Sequence, residues 1–118
     1  MKSVLLSLMI LTAFSLSACG WKPSVKAVPL TPPWTSMNLP VEKDAVVWVS
    51  TPTQFKAVHR AGRAEVGKAY LDALDKAGWK LTKTDMGSMD FFDFVKGGEK
   101  ISLEVYDFEN TGVIMEKK

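Results

Sequence analysis

Residues 63–79 read RAEVGKAYLDALDKAGW, and the spacing within them decides the fold. Val66, Ala69, Tyr70, Ala73, Leu74 and Ala77 recur at i, i+3, i+4, i+7, i+8 and i+11 and so share one helical face. Glu65, Lys68, Asp72, Asp75 and Lys76 occupy the other. Asp72 and Lys76 add an i,i+4 pair of opposite charge. Gly78 stands where a left-handed residue ends a helix, and Trp79 is placed to fold back on the last turn. The spacing predicts an amphipathic helix from about Ala64 to Ala77, which needs an apolar surface to lie on.

That surface is read from the flanks. Ala45 to Val49 is a short β-prone run closed by the turn residues Ser50-Thr51-Pro52-Thr53. Phe55, Ala57 and His59 alternate with Lys56, Val58 and Arg60, which favours a second strand and a hairpin, with Ala61-Gly62 as its natural break. The alternative is a helix, because Thr51-Pro52-Thr53-Gln54 also has the pattern of a capping box with proline at the first position.

Beyond the helix, Trp79 to Thr84 leads into the turn Asp85-Met86-Gly87-Ser88. Met89 to Lys96 leads into Gly97-Gly98, a two-residue hairpin signal. Ile101, Leu103 and Val105 alternate with Ser102, Glu104 and Tyr106. Asp107 to Asn110 turns again, and Thr111 to Glu116 closes the set. The expectation is an α+β fold over 41–118, a small antiparallel sheet of about five strands in the order ββαβββ with the amphipathic helix on one face. A helix of roughly 14 residues spans about 21 Å and cannot cover both faces of such a sheet. Phe91, Phe92 and Phe94 cannot all share one face, so Phe91 or the Phe92/Phe94 pair points away from the helix. Phe92, Phe94 and Tyr106 are therefore a candidate interaction surface, unless the preceding linker folds over them.

The first residues carry a different signal. Lys2 precedes an apolar run from Val4 to Leu16, broken only by Ser7, Thr12 and Ser15. About 13 residues suit a signal peptide better than a spanning helix, which needs roughly 17 to 25. The run ends in Leu16-Ser17-Ala18-Cys19, which resembles the bacterial lipobox. The resemblance implies cleavage between Ala18 and Cys19, diacylglyceryl transfer to the thiol and further acylation such as palmitate. It therefore implies a membrane partner held through lipid at Cys19. Gly20, where an aspartate would imply inner-membrane retention, implies the periplasmic side of an outer membrane. The alternative is an ordinary secretory leader with Cys19 as a bystander.

Gly20 to Pro40 contains Pro23, Pro29, Pro32, Pro33 and Pro40 and reads as an extended tether of 21 residues, reaching on the order of 65 Å. Trp21, Trp34, Lys22 and Lys26 lie within it. Trp34 has two readings, a contact for a partner or, with Leu39, a strap packed back on the domain. The Leu39-Pro40, Tyr70 to Trp79 and Lys96-Gly97-Gly98 layout resembles small α+β modules of envelope lipoproteins and the helix-on-sheet modules of outer-membrane assembly lipoproteins. It lends a fold and no activity.

Composition narrows the function classes. A net charge of +2, or +1 once Lys2 leaves with the leader, gives no phosphate-neutralising surface, so nucleic acid is not an expected partner. The sole cysteine excludes an internal disulfide, and His59, the sole histidine, excludes a two-histidine metal site. Asp85, Asp90, Asp93, Asp107 and Glu109 lack calcium-loop spacing, and Gly97-Gly98 lacks the spacing of a phosphate loop. The expectation is no cofactor and no enzymatic activity. The chain reads as an envelope lipoprotein acting as an interaction or scaffold module for another envelope protein, with a ligand or polymer binder and a hydrolase as alternatives.

Overall fold

In the computed structural model, which describes residues 21–118, the helix runs Arg63–Lys76 (α1). Its end is satisfied as the sequence predicts. Gly78 has φ +94°, its N–H donates to the Asp75 carbonyl at 3.0 Å, and the Trp79 N–H donates to the Leu74 carbonyl at 2.9 Å. These two bonds take up carbonyls the helix leaves free. Lys96 Nζ donates to a third, Ala77, at 2.6 Å, and places a cation at the negative end of the helix.

Six strands form one antiparallel sheet: β1 (Ala45–Ser50), β2 (Gln54–His59), β3 (Lys80–Met86), β4 (Asp90–Lys96), β5 (Glu99–Tyr106) and β6 (Thr111–Lys117). The spatial order is β1-β2-β6-β5-β4-β3. The chain order is thus ββαββββ, one strand more than expected. The last run is no closing appendage: β6 pairs along its length with β2 on one side and β5 on the other and holds a central place. The segment read as strand or helix is a strand. Thr51 Oγ1 accepts the Gln54 N–H at 3.0 Å, and the Thr51 N–H donates to the Gln54 carbonyl at 2.9 Å. The residues that resembled a helix cap close a hairpin instead. Gly97 and Gly98, at φ +54° and +88°, form the predicted two-residue turn.

Register assigns the faces. Phe55, Ala57 and His59 lie opposite Met115, Val113 and Thr111, and the same face continues through Leu103 and Val105 to Phe92 and Phe94. Val66, Tyr70, Leu74 and Trp79 pack onto it.

The tether reading requires correction. Trp34, Met37 and Leu39 are buried in the same core, Trp34 completely. The Trp34 ring lies 5.8 Å from Phe55, and its indole N–H donates to the Thr51 carbonyl at 2.6 Å. Upstream, Thr31 bonds Ser50, and the Val28 N–H donates to the Val47 carbonyl at 2.9 Å, along the outer edge of β1. Three large apolar side chains and these polar contacts outweigh the extended bias of the prolines. The folded unit therefore begins upstream of Val41, and residues 28–39 form a strap.

Trp34→Ala should destabilise a soluble Trp21 to Lys118 fragment by about 3–5 kcal/mol, a large share of a typical total of about 5–15. Urea denaturation measures it, and a loss below about 1 kcal/mol would show that the strap is not part of the core.

Candidate functional site

The two sheet edges differ. β1 is flanked by the strap, whereas β3 ends the sheet, and among the described residues no strand pairs with its outer side. All seven residues of β3 are exposed. An open edge presents unpaired backbone donors and acceptors to another chain. Leu81 and Met86 are 45% and 64% exposed. Between this strand and α1 lies a groove of about 390 Å³, with Ala64, Gly67 and Leu71 on the helix side and Leu81, Met86 and Phe92 on the sheet side. Gly67 opens it, since a Cβ there would meet nothing within 4 Å.

One end of the groove is pinned. Arg63 donates to the carbonyls of Gly87 and Ser88, and its Nε lies 3.8 Å from the buried Asp90 carboxylate. The guanidinium fixes the β3–β4 turn against the first turn of the helix. A bulge at Thr82, between the registers of Leu81 and Lys83, twists the strand locally.

The face turned from the helix is more polar. Lys83, Asp85, Phe91, Asp93, Ser102, Glu104 and Glu116 border a shallow depression of about 280 Å³. Partial burial, then the charge of Glu116, raises the Glu104 carboxyl above its ordinary value, with Lys56 opposing. Gln54 Nε2 donates to Glu116 at 2.8 Å. At the far end of this face Tyr106 stacks on Phe108 at 6.0 Å, and Trp48 lies 6.2 Å from Phe108, with Lys56 Nζ 5.1 Å above the Trp48 ring. Gly112 makes room for Tyr106, because a Cβ there would stand 2.7 Å from Tyr106 Cζ.

His59 lies on the opposite, helix-covered face. Its Nε2 shares a 2.7 Å hydrogen bond with the Tyr70 hydroxyl, and the rings meet edge to face. Burial lowers His59 to about 4 and raises Tyr70, so the pair is neutral at pH 7. The alternation that makes His59 a strand residue turns it inward beside Phe55 and Ala57. Among the described residues no group of three or more His, Cys, Asp or Glu side chains is arranged to hold a metal ion.

The residues picked from sequence divide. Leu16, Ser17, Ala18 and Cys19 lie outside the described residues. Trp34, Phe92 and Phe94 are buried and cannot serve as an exposed interaction surface. The strap takes the first, and the pleat of β4 sends the other two toward the helix. Tyr106 is half-buried across Gly112. Phe91, 43% exposed, is the member of the phenylalanine triplet that points outward. The candidate surface at β3 was missed, because Leu81 and Met86 sit singly among polar residues and only topology shows that their strand is an edge. No protein-family model, curated protein or solved structure matches the chain significantly. No helix among the described residues is long and apolar enough to cross a membrane.

Two outcomes are expected. His59 binds its proton more readily in the unfolded chain, near 6.5, than in the fold, near 4. Its contribution, up to about 3 kcal/mol, is therefore present above about pH 6.5 and lost as pH falls toward 4. Urea midpoints between pH 7 and 5 should fall more for the natural chain than for His59→Gln. Gly112→Ala should cost about 1–3 kcal/mol and weaken the near-ultraviolet dichroism of the Tyr106–Phe108 stack. An unchanged spectrum would show that Tyr106 does not lie across Gly112.

Proposed function

We propose that the mature chain is a lipid-anchored envelope protein that recruits another envelope protein through the open edge of β3 and the groove beside it. The supporting observation is the asymmetry of the sheet. One edge carries a strap of the chain's own, while the other is exposed along its length with Leu81 and Met86 beside an apolar groove. An extended segment of the partner would add its backbone to β3 and set alternate side chains toward the groove. The bulge at Thr82 and the charges of Lys80 and Lys83 oppose indiscriminate edge pairing. Specificity then comes from the groove. Lipid on Cys19 supplies the membrane attachment, with the outer membrane as the proposed site.

A photo-crosslinking amino acid at Lys83 tests this in intact cells, with Glu99 as a distant exposed control. A discrete adduct is expected at residue 83 and not at 99. Leu81→Lys with Met86→Lys should lower its yield roughly tenfold or more, from the loss of two buried apolar contacts. Equal labelling at both positions, or no effect of the double variant, would refute the edge as the docking site.

A further inference from the structure

The strap leads back toward the cysteine. Trp21 is the second residue after Cys19. Its indole N–H donates to the Glu109 carbonyl at 3.3 Å, and the Ser24 N–H donates to the Glu109 carboxylate at 3.1 Å, joined by the Ser24 hydroxyl. Val28 then bonds β1, Thr31 bonds Ser50 and Trp34 enters the core. From Trp21 to Leu39, with Met37 also in the core, the chain is fastened at intervals of two to four residues. Only Gly20 lies between the anchor cysteine and the first fastening, and the two Cα–Cα steps from Cys19 to Trp21 span at most about 7 Å.

From this geometry we propose that the strap seats the domain on the bilayer, with the β5–β6 turn (Asp107 to Asn110) toward the phospholipid headgroups. The proposal rests on lipidation of Cys19. The surface at this end suits that occupant. Trp21 and Tyr106, both half-buried, lie beside the turn with Phe108 and Trp48 packed behind them, and the amphipathic rings of Trp and Tyr favour the headgroup region. Lys22 and Lys26, both exposed, precede and follow Ser24 and offset the Asp107 and Glu109 carboxylates of the turn, so that this end is not net repulsive to anionic headgroups. The strands then run outward from the membrane. Glu99, at the far end of β5, stands about 26 Å farther out than Asp107 at roughly 3.3 Å per residue. The open edge of β3 is presented sideways along that height rather than on a flexible arm.

The test uses full-length, processed protein in phosphatidylethanolamine and phosphatidylglycerol vesicles bearing a headgroup acceptor dye. Donor dye is attached at Asp107→Cys or at Glu99→Cys; the Cys19 sulfur, alkylated by lipid, does not take it. Flotation with the vesicles and stronger energy transfer from position 107 than from 99 are expected. Trp21→Ala with Ser24→Ala should abolish the difference while leaving flotation intact. Flotation with equal transfer, or with stronger transfer from 99, overturns the seating and leaves the anchor standing. Failure to float overturns the anchor and the seating with it.

Discussion

The indole of Trp34, enclosed by the core with its N–H on the Thr51 carbonyl, answers a shortage built into the fold. A single helix of fourteen residues, about 21 Å long, cannot by itself cover one face of six strands. α1 packs over β3 and β5 and reaches β2 through Tyr70, whose ring lies 6.3 Å from Phe55. The strap completes the layer with Trp34, Met37 and Leu39. Its path along β1 also follows from that insertion, since the chain entering at Trp34 must run beside Ser50 and Val47.

That one contact divides the sheet into a guarded edge and an open one. β1 has the strap and a bulge at Trp48; β3 has a bulge and two lysines but no neighbour among the described residues. Exposed edges invite pairing, and a protein that guards only one retains the other as a place for a partner to add. The proposed recruitment role and the proposed seating on the bilayer share this origin, since the strap both spares β3 and shortens the reach of the anchor.

Much of the fold was legible in the sequence. The 3.6-residue period of Val66 to Ala77, the Gly78-Trp79 ending and the Gly97-Gly98 hairpin are local signals, and local chemistry satisfies them in the structure. All six β-prone runs were legible too, although the expected order counted one too few; the central place of Thr111–Lys117 was not, because only its pairing with both β2 and β5 shows it. The strap was half legible. Prolines spoke for a tether and Trp34 with Leu39 for packing, and burial of apolar surface decided between them. The candidate site was the least legible part. Phe92 and Phe94 attract notice as aromatic residues, yet it is Leu81 and Met86, spaced among polar residues, that the topology leaves uncovered.

Residues 28–39 belong to the folded body rather than to a tether. Amide hydrogen exchange of Val28 and of the Trp34 indole N–H, followed by NMR in a soluble Trp21 to Lys118 fragment, measures this most directly. The Trp34 indole is expected to exchange as slowly as the β2 and β6 amides, and Val28 well below the rate of a free peptide. Exchange of both at free-peptide rates, with the sheet still protected, would contradict that placement and return the segment to a mobile tether.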